Sequence, residues 1–282
     1  MAGGRLEIVT GEPTQSLVDS HCHLNLDEFG QDRDRVIQRA LEAGISWFVI
    51  PGIDLDTSKS AVELARQYPQ VFAAVGVHPN SGLSWNDGTL AELREFAREK
   101  KVVALGEIGL DYYRDHCPKE IQKQIFTAQL KLAAELGLPV IVHMRDSEND
   151  ILAILVSWQE ELKARKSLVA SHPGVVHSFS GDVSVANTLL THQYKLGIAG
   201  SVTYPNSENL YEVIESLPLE SFLIETDAPY QTPLPFRGKR NEPTNVRIVA
   251  EKIAEIKEIK VEQVAQATTG EANKMFRLRG FH

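Results

Sequence analysis

Cysteine is scarce in this chain: Cys22 and Cys117 are the only two in 282 residues. So few exclude a disulfide framework and suit a reducing compartment. Long apolar runs are also missing. No stretch approaches the roughly 18 uninterrupted apolar residues that a membrane span needs. The first 16 residues are polar and glycine-rich, without the apolar centre of a secretion signal. The expectation is a cytoplasmic protein with no membrane association and no evident obligate protein partner. Positive charge is short as well, with 29 Lys and Arg against 38 Asp and Glu, a net charge of −9. Such a surface repels duplex DNA at long range, which argues against a protein that coats nucleic acid regardless of sequence. Nucleic acid held in a local cationic site remains compatible, and bound divalent ions would add positive charge there.

What the chain does have is alternation. Short runs rich in Val, Ile and Leu occur at Leu17–Ser20, Ile45–Ile50, Val71–Val77, Val102–Gly106, Pro139–Val142, Gly174–Val176, Tyr194–Ile198 and Phe222–Ile224. Brief continuous apolar runs are the signature of parallel strands covered on both faces. Amphipathic stretches lie between them, among them Asp32–Ala43, Thr57–Gln67, Thr89–Glu99, Glu120–Leu136 and Asn206–Ser216. Gly44 punctuates the first of these, and Gly137-Leu138-Pro139 the fourth. A helical pair, Thr244–Ile256 and Val261–Leu278, closes the chain. Strand and helix signals alternating at a step of about 30 residues predict an α/β fold, a (β/α)8 TIM barrel. It would form a single domain over 16–282 with an extra C-terminal helix, preceded by a flexible extension, 1–15. A doubly wound open sheet is the rival, but no Gly-x-Gly-x-x-Gly loop follows the first strand.

The polar residues gather at one end of that scaffold. His21 and His23 close the first run, and a period of two puts both imidazoles on one face. His78 ends the third run, Glu107 the fourth, His143 the fifth and His177 the sixth, and Asp227 follows the eighth. All stand at carboxyl ends of strands, where barrel enzymes build their sites. Parallel strands bring residues distant in sequence to one mouth. Setting His78 aside, four imidazoles and two carboxylates are enough donors for two divalent ions, and a glutamate with two oxygens can bridge them. The other histidines, His116, His172, His192 and His282, lie outside this pattern and are read as structural or surface residues.

The motifs Val18-Asp19-Ser20-His21-Cys22-His23-Leu24, Gly76-Val77-His78-Pro79, Gly106-Glu107-Ile108-Gly109-Leu110-Asp111, Val142-His143-Met144-Arg145-Asp146 and Glu225-Thr226-Asp227-Ala228-Pro229 occur together here. With the stretch Arg237–Pro243, they make the chain resemble the TatD-type metal-dependent deoxyribonucleases of the amidohydrolase superfamily. The resemblance runs from about residue 16 to the C-terminus. It implies that His21, His23 and Asp227 hold one ion, that His143 and His177 hold another, and that Glu107 bridges them. It also implies that His78 and Arg145 meet a substrate phosphate and that Mg2+ supports activity, while the imidazole-rich ligation itself leans towards Zn2+, Mn2+ or iron.

The expected chemistry is hydrolysis of DNA phosphodiesters, with trimming of single strands from the 3′ end, by a metal-bridging hydroxide. Asp227 would accept the proton, and Arg145 would grip a phosphate through its guanidinium fork. Lys239 and Arg240, in the densest basic cluster, are candidate contacts for the nucleic-acid backbone. Tyr112, with Tyr113 beside it, is a candidate surface for stacking bases. Cys22 alternates into the core, and Asp19 is placed to orient His21 and His23. Two other readings use the same residues. One is a metal-dependent ester or amide hydrolase, such as an aminoacyl-tRNA deacylase, which would have less use for Arg145, Lys239 and Arg240. The other is a non-catalytic nucleic-acid-binding or scaffold protein, which would be expected to close its metal sites with a full set of ligands.

Overall fold

A computed structural model describes residues 16–278, so the expected extension 1–15 lies outside the described residues. Eight strands follow in chain order: β1 (Leu17–Asp19), β2 (Ile45–Pro51), β3 (Val71–Val75), β4 (Val102–Asp111), β5 (Val140–Arg145), β6 (Gly174–Val176), β7 (Lys195–Ile198) and β8 (Phe222–Ile224). All neighbours pair in parallel, in the order β1 to β8. At the seam, the Ser20 N–H donates to the Ile224 carbonyl at 3.1 Å and the Asp227 N–H to the His21 carbonyl at 2.9 Å. The Asp19 carboxylate accepts from the Thr226 N–H at 3.0 Å and from its hydroxyl at 2.6 Å. These bonds bring the last strand against the first in a nearly closed (β/α)8 barrel.

The helices between strands are α1 (Arg33–Glu42), α2 (Leu55–Gln67), α3 (Thr89–Phe96), α4 (Lys119–Leu136), α5 (Glu148–Ala164), α6 (Val183–Thr191) and α7 (Glu208–Ser216). After β8 come α8 (Val246–Ile256) and the extra helix α9 (Val261–Phe276). No helix among the described residues is long and apolar enough to cross a membrane.

Two strands run further than their apolar content suggested. β4 continues through Glu107 to Asp111 because Ile108 and Leu110 remain buried on the side opposite the polar residues. Its register with β5 shifts between Leu105 and Ile108, and the Glu107 N–H turns to the Gly52 carbonyl at 2.8 Å instead. A bulge of this kind re-aims a side chain, here the central carboxylate. β5 likewise extends to Arg145, with Gly109 opposite His143 and Asp111 opposite Arg145. Gly109 has φ +144°, and a Cβ there would lie 2.1 Å from the His143 carbonyl oxygen. Only glycine permits that approach of the two strands. At the other extreme, β1 stops at Asp19, and His21 and His23 lie in irregular chain beyond it. That chain is held by the Cys22 N–H to the Val49 carbonyl at 3.1 Å and the His23 N–H to the Ala228 carbonyl at 2.7 Å. Cys22 is fully buried in the core, as its alternation predicted.

The core has two layers. The larger lies between the sheet and the helices, where Phe29, Phe48, Phe126 and Phe222 are fully buried. The smaller fills the barrel itself with Val18, Val49, Phe72, Val103, Ile141, Val175 and Leu223, and Ala272, Met275 and Phe276 of α9 pack against them. The extra helix thereby plugs the barrel at its amino end. A charged pair secures it: Glu271 of α9 is bonded by Lys195 of β7 at 2.7 Å.

Candidate metal centre

At the carboxyl end, six of the expected residues converge. The His21 Nε2 and His23 Nε2 atoms are 3.1 Å apart, and lie 3.7 and 3.4 Å from Asp227 Oδ1. Both face Glu107 Oε2, at 3.4 and 3.6 Å. The other oxygen of the same carboxylate, Oε1, is 2.8 Å from His143 Nδ1 and 2.8 Å from His177 Nε2. Those two nitrogens are 3.2 Å apart. Glu107 therefore stands between two histidine pairs, with one oxygen turned to each. His78 joins the second group, its Nε2 3.3 Å from Glu107 Oε1. Its Nδ1 accepts the Asn80 N–H at 3.0 Å, so Nε2 is the nitrogen left to donate in the neutral ring.

The cluster is buried, and its charges depend on one another. Burial works against ionising Glu107, but the imidazoles of His177 and His78, with bonds from His143 and His177, hold its carboxyl well below the usual range. Burial also opposes charge on His177, yet Glu107 raises it well above the usual imidazole value. His143 is raised too, since bonds to Asp111 and Glu107 outweigh burial. Burial lowers His21, and neighbouring His177 lowers it further. Burial also brings His78 down to about 4, despite the pull of Glu107. Asp227 resists its own burial through the His23 bond and the nearby imidazoles, and stays below the ordinary carboxyl range.

The donor set fits divalent cations. Four imidazoles and two carboxylates present unshared pairs to one small region, and ring nitrogens 3.1 and 3.2 Å apart gain little from one another unless a proton or a cation lies between them. The close-set donor groups include His21, His23 and Asp227, and His78, Glu107 and His143.

Partners that the motifs did not assign fix this geometry. Asp111 Oδ2 is 3.2 Å from His143 Nε2 and accepts the Asn80 side chain at 2.9 Å. Gln231 donates to Asp227 Oδ2 at 2.8 Å. Asp227 and Ser178, in the chain just beyond β8 and β6, have left-handed backbones at φ 54° and 48°, and such strain commonly marks functional sites. Asp111 stood inside a recognised motif without a role, whereas Gln231 carried no signal. Asp19, expected beneath the histidines, instead bonds Thr226 and reaches only the His21 backbone N–H, at 3.4 Å. Its carboxylate holds the barrel seam.

The expected substrate contacts divide into two groups. Arg145 lies at the end of β5 with its guanidinium 3.9 Å from the ring of exposed Tyr113. Tyr112 turns away: its hydroxyl bonds Asp150 at 2.5 Å and Lys119 lies over its ring. Arg240 is engaged by both oxygens of Asp32, at 2.8 Å each, and by Glu242 at 2.9 Å. Lys239 is exposed, near the ring of Phe236. Exposed Tyr230 stands edge-on to His23, with ring centroids 6.1 Å apart.

The family model for TatD-related DNases matches residues 18–277. The uncharacterized metal-dependent hydrolase YabD of Bacillus subtilis is 40% identical over 93% of this chain and 99% of its own length. The 3′-5′ ssDNA/RNA exonuclease TatD of Erwinia tasmaniensis is 34% identical over 93% of this chain and its full length. Among solved structures, YjjV, a TatD homologue from Escherichia coli, superposes with a TM-score of 0.85 at 33% identity, covering 93% of this chain and 98% of that one. With its histidines and carboxylates gathered at the barrel mouth, the chain belongs to the TatD-related DNase family and is a metal-dependent hydrolase.

Proposed function

We propose that this hydrolase holds two divalent ions and cleaves phosphodiester bonds of DNA, removing nucleotides from single-stranded 3′ ends. The observation that carries the reading is the division of Glu107, whose two oxygens face separate histidine pairs. His21, His23 and Asp227 would hold one ion and His143 and His177 the other, with Glu107 common to both. Divalent ions bound there supply Lewis acidity and a nucleophile at neutral pH.

The chain's own groups do the rest. Asp227, fixed by Gln231, accepts a proton at its Oδ1, which faces the first histidine pair. His78 is kept neutral by burial and donates from Nε2 to a non-bridging phosphate oxygen. Arg145 contributes the cationic fork. Tyr113 and Tyr230 offer exposed faces on which unpaired bases can stack whatever their sequence, which favours single strands. Lys239 meets the backbone, while Arg240 and Tyr112 act through the loops they anchor.

The test is a time course on a 5′-labelled single-stranded oligonucleotide with Mg2+ or Mn2+, an EDTA control and the Glu107→Ala variant. The expected result is a ladder shortening from the 3′ end that needs metal and is absent from the variant. An intact oligonucleotide with metal loaded would reject the nuclease reading and direct assays to carboxylic esters and amides.

A further inference from the structure

We propose that Glu225 is a positioning residue that orients His177 and His21 from the side opposite Glu107. This rests on the reading that these histidines hold divalent ions. Glu225 follows β8, is fully buried and has no part in the reaction proposed above. Its Oε1 accepts the Ser178 N–H at 2.5 Å and lies 3.5 Å from His177 Nδ1, just outside hydrogen-bond geometry. Its Oε2 accepts from the Ser20 hydroxyl at 3.3 Å. The rings of His21 and His177 are stacked, with centroids 4.0 Å apart and planes 10° from parallel. One nitrogen of each ring and one Glu225 oxygen all lie within 4.8 Å of one another.

The other face of each ring is already committed, because both Nε2 atoms point at Glu107. That leaves the two Nδ1 atoms, both buried and without a hydrogen-bond partner among the described residues. A buried imidazole that presents Nε2 to a cation must keep its proton on Nδ1, and that proton needs an acceptor. Glu225 is the carboxylate in reach. A small rotation of His177 completes the bond, and stacking carries the same constraint to His21. Carboxylates behind metal-binding histidines fix the tautomer and raise the basicity of the ligating nitrogen.

The fold also makes room for this group. A Cβ at Gly197 of β7 would stand 2.5 Å from Glu225 Oε2, so the glycine is the recess into which the carboxylate fits. One buried side chain thereby backs one histidine from each half of the centre.

The experiment is calorimetric titration of metal-free protein with Zn2+ or Mn2+, in the absence of DNA, on wild type, Glu225→Gln, Glu225→Asp and Gly197→Ala. Glu225→Gln should lose metal affinity by about 10- to 100-fold. Glu225→Asp should recover part of it, and Gly197→Ala, which displaces the carboxylate without removing it, should repeat the loss. Wild-type affinity in folded Glu225→Gln would overturn the proposal and reduce Glu225 to a tie between loops. Long-range 1H–15N spectra of zinc-loaded wild type give a result that does not depend on any variant folding: His177 should carry its proton on Nδ1, and a proton on Nε2 would overturn the proposal. Since no step uses nucleic acid, failure of the nuclease reading leaves this result standing, and the reverse also holds.

Discussion

The two ends of this barrel are built from opposite materials. At the amino end, Phe72, Val103 and Leu223 meet Met275 and Phe276 of α9 in an apolar plug. At the carboxyl end, buried histidines and carboxylates meet through directed contacts, and each is held by a specific partner. Apolar packing is non-directional and degrades gradually as atoms are removed. A polar cluster depends on every member, because each charge relies on the others to offset its burial. Apolar packing therefore closes one end of the barrel and the polar cluster occupies the other.

The sharpest way to break that contrast is Glu107→Ala. DNA cleavage should fall to the level seen with EDTA, and divalent ions should no longer raise the melting temperature; a normal rate under saturating metal would remove Glu107 from the centre. Next in size is Phe276→Ala at the opposite end. It should cost about 3–5 kcal/mol of stability in urea denaturation while the folded fraction cleaves at the wild-type rate. A change in kcat comparable with the stability loss would show that the two ends are coupled.

Stripping metal from the wild type with EDTA should lower stability by about 2.7 kcal/mol relative to ion at a hundred times its Kd. No change in unfolding midpoint would mean that folded and unfolded chains bind the ion alike. Tyr113→Ala should raise KM for single-stranded oligonucleotides by about 5- to 150-fold, the range of one stacked base, and leave kcat alone. An unchanged KM would place the substrate elsewhere on the rim. The smallest effect is expected at the basic loop. Arg240→Ala should cost at most about 1 kcal/mol, because its pairing with Asp32 is half-exposed. Lys239→Ala should leave stability unchanged but flatten the salt dependence of KM. The reverse pattern would exchange their roles.

Much of this was legible beforehand because strand ends are marked twice. An apolar run stops, and a metal-binding residue type stands at the stop, so the sequence alone puts His78, His143 and His177 at the carboxyl ends of their strands. Glu107 was legible as a candidate ligand but not as the site of a register shift, since that depends on what lies across the strand. Asp111 and Glu225 lay inside recognised motifs, but alternation alone does not say which imidazole a carboxylate will meet. Gln231 and Gly197 could not be found that way, because one acts from a loop turn and the other by the space it leaves. The basic loop shows the opposite limit. Composition groups Lys239 with Arg240, but only the fold brings Asp32 and Glu242 to the second and leaves the first to solvent.

The position of the apolar plug also bears on how the chain is made. Met275 and Phe276 occupy the last turn of α9, so every strand and every proposed ligand leaves the ribosome before the residues that seal the barrel. Until α9 arrives, the nascent barrel has an interior open to water at its amino end. Premature termination between α8 and α9 would release a protein that carries every proposed ligand and lacks the helix that closes its core.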